Sequence, residues 1–386
     1  MRILVTGGAG FIGSHIVKQL LEQGHKVVVY DLEESFIVHR SSFIEKNSNG
    51  QQRAGDQRPT NNDQRITFIQ GDVKDSKLLV ESLKGVDAVI HMAAFISVEE
   101  SVKNPLKYME NNVIGTASLL TAMREAGVRK IVFSSSATVY GEPKSLPILE
   151  DAPLSAANPY AASKIAMEAI AESFARTDGF DVTILRYFNP YGPGENHQPE
   201  THAIPNFIKA GLSQGTEASI AHRSSFIEKN SNGQQRAGDE PITNNQTAIP
   251  LYWKGEQVRD FIYVEDLARA HIAVLENREE RRENREENFT LHSSLFTQGS
   301  YRVFNVGSER GVKIIDVINV LSNILGYKLD IEDLGERKGD VMANYASSAK
   351  LKEATGWSAR VGLEEGLRKT VEWFKEEMGD KGDKGN

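Results

Sequence analysis

Residues 1–15 read MRILVTGGAGFIGSH, and the next apolar run, HKVVVYD, ends on Asp31. A β-branched run that breaks into glycines and re-emerges as an amphipathic pattern from Ser14 to Glu22 is the opening of a βαβ unit. Gly8, Gly10 and Gly13 stand in GxGxxG spacing. Such spacing lets the backbone turn tightly and approach a pyrophosphate, while the helix N-terminus offers amide donors and the positive end of its dipole. The cradle expected from this stretch is Gly7, Gly8, Gly10, Phe11, Ile12 and Gly13. A carboxylate at Asp31 suits two ribose hydroxyls and repels a 2′-phosphate, so the dinucleotide expected here is NAD rather than NADP.

Working outward, ITFIQGD, VDAVIHMAA, KIVFSSS and DVTILRYFN are further β-branched runs, separated by helical patterns such as Leu106 to Ala126 and Tyr160 to Arg176. Near-continuous apolar strands alternating with helices need both sheet faces covered, which predicts an α/β fold with a Rossmann-type doubly wound parallel sheet. Beyond Asn189 the alternation becomes irregular, then resumes as VFNVG, a helix near Ile314 to Leu325 and a closing helix near Leu363 to Met378. We expect residues 1–189 to form the NAD-binding domain and 190–378 mainly a smaller C-terminal substrate-binding lobe, with some segments returning to the first domain. The tail, 379–386, is expected to be disordered.

The 386 residues carry a net charge of −8 and no Cys. An acidic total argues against nucleic acid as main partner. Absence of Cys excludes disulfides, thiolate metal sites and a Cys nucleophile, and fits a reducing cytosol. No run approaches a membrane span, and Met1 leads straight into a strand without a signal-peptide pattern, so a cytoplasmic protein without membrane partners is expected.

Residues 39–56 and 222–239 both read HRSSFIEKNSNGQQRAGD. Identity that is perfect inside and vanishes outside describes one polar segment inserted twice, not an old domain duplication. A third segment, beginning NREERRENREEN at 277, packs charge without an apolar period. The three insertions, about 39–64, 217–247 and 277–299, are expected to be solvated and dispensable, leaving roughly 305 residues of core.

Ser136 ends the run KIVFSSS, and YAASK places Tyr160 and Lys164 four apart at the head of a helix. Residues so spaced share a face, so the Lys164 ammonium can lie beside the Tyr160 hydroxyl and, together with a nicotinamide cation, favour its phenolate. Ser136 would hydrogen-bond the same substrate oxygen. His91 follows an apolar strand without a carboxylate or second His in a ligand pattern, which reads as structural; no metal site is expected.

This arrangement resembles the extended short-chain dehydrogenase/reductase family, and within it the UDP-glucose 4-epimerase branch. The resemblance runs through TGGAGFIGSH, GDV at 71–73, HMAA at 91–94, ENNVIGT at 110–116, SSSATVYG at 134–141, YAASK, RYFNPYG at 186–192, RDFIYVEDLA at 259–268 and ERKGD at 336–340. It implies that Asp72 and Val73 sit by the adenine, that Ala93, Ala94 and Asn111 line the NAD, that Lys164 binds the nicotinamide ribose, and that Phe188 lies by the nicotinamide. It makes Asn189, Arg259, Arg337 and Asp340 sugar-nucleotide contacts; two guanidinium groups suit a diphosphate. It puts Asn344, four residues after Asp340, beside the sugar 2-substituent, where a small side chain would admit an acetamido group, whereas a one-residue slip would bring Tyr345 into place and exclude it.

The implied activity is an isomerase of galactose metabolism acting on UDP-glucose and UDP-galactose, with the N-acetylhexosamine pair through Asn344. Tyr160 would take the 4-hydroxyl proton as C4 hydride leaves for tightly held NAD, giving a 4-keto sugar nucleotide that is reduced on its other face. Where related 4,6-dehydratases carry an acidic pair and sugar-nucleotide decarboxylases a Glu, this chain has Ala137-Thr138-Val139, which disfavours both reactions. Open alternatives are another sugar-nucleotide epimerase, an NADP-linked carbonyl reductase, and a non-catalytic NAD-binding member. Members of this branch commonly pair through the helices matched here by Leu106 to Ala126 and Tyr160 to Arg176, so a homodimer is expected.

Overall fold

The computed structural model describes residues 1–32, 65–195, 202–227, 248–277, 299–336 and 341–382. The insertions therefore lie largely outside the described residues, as do Arg337 and Asp340.

Seven strands form one sheet: β1 (Arg2–Thr6), β2 (Lys26–Asp31), β3 (Ile66–Gln70), β4 (Ala88–His91), β5 (Lys130–Ser136), β6 (Asp181–Tyr187) and β7 (Ser300–Val306). Their spatial order is β7-β6-β5-β4-β1-β2-β3, and every pairing is parallel. The sheet is the doubly wound one expected. Strand order reverses between β1 and β4, the switch point beside which open α/β sheets bind ligands.

Alternation along each strand feeds two cores. Ile3, Val5, Val27, Val29 and Ile90 point to one face, shared with Ile16 and Leu20 of α1 (Phe11–Glu22). Leu4, Val28, Val89, Ile131 and Phe133 point to the other, with Leu119 and Met123 of the helix Gly115–Ala126 and Met167 and Ala171 of the helix Pro159–Asp178. Ile3, Leu4 and Val5 are fully buried. Each such side chain contributes about 1.5–3 kcal/mol.

Two compact units divide the chain. The first holds Met1–Pro190, Asp260–Arg310 and Asn344–Arg360, so β7 and the helix Val264–Glu276 belong with the sheet. The second holds Tyr191–Arg259, Gly311–Ala343 and Val361–Asn386. In it the short strands Ile249–Leu251 and Ile331–Asp333 pair in parallel, and Gln214 brackets Asp330, accepting from its amide at 2.8 Å and donating to its carbonyl at 3.1 Å.

Three elements depart from the sequence reading. The run from Leu106 to Ala126 is not one regular helix: Pro105–Tyr108 is α-helical, Met109–Ile114 is a π-helical turn and Gly115–Ala126 is α-helical again. The helix Ala203–Ile227 continues into the first residues of the second repeat copy, His222 to Ile227, where a loop was expected. The closing helix Leu363–Gly382 likewise enters the tail expected to be disordered, running on through residues 379–382. No described helix is long and apolar enough to cross a membrane.

Candidate active site

β1 ends at Thr6, and the chain turns at Gly7 with φ of +67°. A Cβ on Gly7 would stand 2.8 Å from the amide nitrogen of Ala93, and one on Gly13 would stand 2.1 Å from the carbonyl oxygen of Gly7. The strictest need for glycine thus falls on Gly7 and Gly13, and Gly7 lies outside the GxGxxG count that singled out Gly8. The helix α1 starts at Phe11 behind Gly10 without a side-chain cap, leaving its first-turn amides available to an anion.

Asp31 reaches this turn. Its Oδ2 accepts from the Ala9 amide at 2.9 Å and its Oδ1 from the Leu32 amide at 2.8 Å. Asp72 and Val73 follow β3; the Asp72 carbonyl accepts the Tyr30 hydroxyl at 2.9 Å, and Val73 is buried beside Gly115. Ala93 and Ala94 follow β4 and are partly buried. Asn111 is buried in the π-helical turn, its Nδ2 donating to Asn112 Oδ1 at 3.1 Å. Asn112 was not singled out from sequence, yet it ties Phe95 at both amide and carbonyl and accepts no substitute easily, since its Nδ2 also donates to Ser163 on the helix that carries Tyr160.

His91 proves structural. Thr116 Oγ1 gives its proton to the Asn112 carbonyl at 2.6 Å, so it accepts from His91 Nε2 at 3.1 Å, and His91 Nδ1 then accepts from Thr6 Oγ1 at 2.7 Å. Burial, with the nearby charge of Lys164, pushes the His91 pKa down to about 3 and keeps it neutral. The histidine therefore locks Thr6, whose oxygen also accepts the Met92 and Ala93 amides at 3.2 and 3.3 Å beside the glycine turn.

Ser136, Tyr160 and Lys164 come together where β5 ends. Asn158 caps the helix Pro159–Asp178 by accepting from the Ala161 amide, and Pro159 begins it, so Tyr160 and Lys164 occupy its first two turns. Ser136 Oγ accepts from the Thr138 amide and hydroxyl at 3.3 and 3.0 Å, which turns its own proton toward Tyr160. Tyr160 and Lys164 are 7% and 1% exposed.

The electrostatics correct one expectation. Burial pushes the Tyr160 pKa up to about 12, against the hydrogen bond from Ser136, and Lys164 is not among the groups acting on it. The Lys164 Nζ donates instead to the Ser134 carbonyl at 2.9 Å, and burial brings its pKa down to about 8 against the charge of Glu168. The protein's own groups thus hold the phenol protonated. A phenolate there calls for further positive charge, of the kind an oxidised nicotinamide ring carries.

Phe188 is fully buried and packs on Tyr140 with ring centres 6.4 Å apart. Asn189 adopts φ of +33° and donates through Nδ2 to the Asp260 carbonyl at 2.8 Å. In the second unit, Arg259 donates to the Val258 carbonyl at 3.0 Å. Asn344, in the strand Ala343–Asn344, has a buried Oδ1 with no protein partner. No group of three His, Asp or Glu among the described residues could hold a metal.

Sequence reasoning overlooked Asp260 and the Glu168–Arg186 pair. Glu168 stands four residues beyond Lys164 on the same helix face, a spacing that could have revealed it; Asp260 is bound by residues far along the chain and offered no such signal.

The chain is similar to known proteins over nearly its whole length. A UDP-glucose 4-epimerase of Lactobacillus helveticus is 35% identical over 368 residues, covering 93% of this chain and 92% of that protein. A Thermotoga maritima UDP-glucose 4-epimerase solved with UDP-glucose superposes with a TM-score of 0.72 at 30% identity, covering 98% of this chain and 100% of that one. A UDP-N-acetylglucosamine 4-epimerase of Methanobrevibacter ruminantium, solved with UDP-N-acetylmuramic acid, gives 0.73 at 31% identity over 98% of this chain and 99% of the other. With residues 3–289 matching that family as a whole, the chain belongs to the NAD dependent epimerase/dehydratase family.

Proposed function

We propose that this protein inverts C4 of a UDP-hexose, interconverting UDP-glucose and UDP-galactose through a 4-keto intermediate. The observation that carries the reading is the meeting of Ser136, Tyr160 and Lys164 at the end of β5, in the same unit as the glycine turn and Asp31. Bound NAD supplies a hydride acceptor that returns what it takes, so the net redox change is zero. The groups that would hold it are the turn at Gly7, the first amides of α1, Asp31, Asp72, Val73, Ala93, Ala94 and Asn111, with Phe188 and the Lys164 ammonium at the nicotinamide end.

Tyr160 accepts the 4-hydroxyl proton and later gives it back, while Ser136 orients that oxygen. One acid/base suffices because the same oxygen is deprotonated and reprotonated. Ala137, Thr138 and Val139 provide no carboxylic acid to expel water from the sugar, which favours epimerisation over dehydration. Asn189, Arg259, Arg337 and Asp340 would hold the nucleotide handle as the hexose turns over, with the second unit as substrate-binding lobe. The unpartnered Oδ1 of Asn344 supports acceptance of N-acetylhexosamines, since an acetamido N–H would satisfy it.

We further propose a cytosolic homodimer. Leu106 and Ile114, 74% and 53% exposed on the segment expected to pair, support it. Incubation with a panel of UDP-hexoses and no added cofactor, followed by sugar analysis, tests the activity. Interconversion of UDP-glucose and UDP-galactose is expected; a requirement for stoichiometric cofactor would overturn it.

A further inference from the structure

Three consecutive residues at the end of β5 meet three residues spaced four apart on one helix. Ser136 hydrogen-bonds Tyr160, the Ser134 carbonyl accepts from Lys164, and the Ser135 hydroxyl donates to Glu168. Positions i, i+4 and i+8 share a helix face, and this face is turned wholly inward, with Glu168 only 2% exposed.

Glu168 is gripped from the neighbouring strand. Arg186 stands opposite Ser135 in the β5–β6 register and donates through Nε at 3.1 Å and Nη2 at 2.7 Å to the two carboxylate oxygens. Its Nη1 donates to the Tyr140 hydroxyl at 2.9 Å and the Glu150 carbonyl at 3.0 Å. Buried ion pairs are poor sources of net stability, because desolvation offsets their attraction. A fork-to-fork pair instead fixes geometry, here the register of the catalytic helix on the sheet.

The groups around Lys164 make the sign of its surroundings plain. Its own helix brings Tyr160 and Glu168; β5 brings the Ser134 carbonyl and the Phe133 ring, whose centre is 5.9 Å from Nζ; β4 brings the neutral His91. β6 brings Arg186 onto Glu168 and Tyr187 toward Tyr160. Glu168 is the carboxylate whose charge Lys164 feels.

We propose that Glu168, clamped by Arg186, is a positioning residue of the catalytic pair: it sets the helix against the end of β5 and supplies the negative charge that keeps the buried Lys164 cationic. This rests on Tyr160 and Lys164 being the proton-handling pair. Without that charge, burial acts on Lys164 unopposed, and it loses its proton at lower pH.

The test reads Lys164 directly by lysine-13Cε NMR titration of the full-length protein, the resonance assigned by its loss in Lys164→Arg. Glu168→Gln is expected to lower the Lys164 midpoint by about one pH unit. Because that variant strands the Arg186 charge and can fail to fold, Glu168→Gln/Arg186→Met, which removes both charges, is measured beside it. The midpoint and the alkaline limb of the turnover profile should fall together in the double variant and return in Glu168→Asp. A wild-type midpoint in the folded double variant would overturn the proposal. Since the titration needs no substrate, failure to epimerise any UDP-hexose would count against the proposed activity alone.

Discussion

The side-chain amide of Asn189 donates to the main-chain oxygen of Asp260 at 2.8 Å, and the Asp260 carboxylate in turn gathers a ring of donors. It accepts the Ser308 amide and hydroxyl at 2.7 and 2.6 Å and the amides of Glu309 and Ala346, each at 3.3 Å. One buried residue thereby holds the left-handed Asn189 after β6 through its main chain, and the turn after β7 and the segment leading from Asn344 through its side chain. Asp260→Ala would leave the buried Ala346 amide and the half-buried Ser308 donors without this acceptor, and should cost about 1–3 kcal/mol in urea unfolding. Stability within about 0.5 kcal/mol of wild type would show that water replaces the carboxylate.

Tyr160→Phe and Lys164→Met should lower epimerase turnover by at least about 10²-fold while leaving bound NAD in place, because both spare the glycine turn. Turnover should also fall as pH rises past about 8, where Lys164 gives up its proton. A flat profile from pH 7 to about 10 would remove the Lys164 charge from the mechanism.

Cofactor identity follows from Asp31. Nucleotide released on denaturation should be NAD(H), and Gly13→Ala, whose methyl would collide with the Gly7 carbonyl, should yield protein with little of it. Mainly NADP(H) in the supernatant would contradict the Asp31 argument.

How much of this could be read from sequence depended on the range of the interaction. The strands were legible because Ile3, Val28 and Val132 sit in β-branched runs bounded by turns, and the Tyr160–Lys164 spacing is a property of one helix. The π-helical turn at Met109–Ile114 was not legible: six residues are too few to show a change of period, and the turn is held by Asn112 reaching Phe95 and Ser163. Gly7 was counted in the cradle, but its strict need for glycine was not legible, since its closest neighbour is Ala93, brought over by the β1–β4 pairing. Asp260 meets Ser308 and Ala346 across 48 and 86 residues, separations at which a single sequence carries no pattern.

Neutral His91 makes stability depend on pH. Its folded pKa, about 3, lies below the unfolded value of 6.5, so the folded state binds fewer protons between them. Its contribution is complete above pH 6.5 and is lost progressively as pH falls toward 3. Between pH 7 and 5 the wild type should lose about 2 kcal/mol through this residue, and His91→Gln should lose correspondingly less over the same interval. Parallel pH dependences in the two proteins would mean that His91 is protonated without penalty.

Substrate breadth turns on Asn344. Its amide oxygen is buried and meets no protein donor. An acceptor of this kind gains a bond when an acetamido N–H arrives, worth about 0.5–1.5 kcal/mol, and loses little when a hydroxyl takes the place. UDP-N-acetylglucosamine should therefore be epimerised beside UDP-glucose, with kcat/KM values within about tenfold of each other. Asn344→Tyr adds a ring at the same position and should suppress the N-acetylated pair by at least about 10²-fold while sparing UDP-glucose. Equal losses on both substrates would point to damage of the strand Ala343–Asn344 and not to selection at the 2-position, and wild-type turnover of UDP-N-acetylglucosamine by Asn344→Tyr would place the sugar elsewhere.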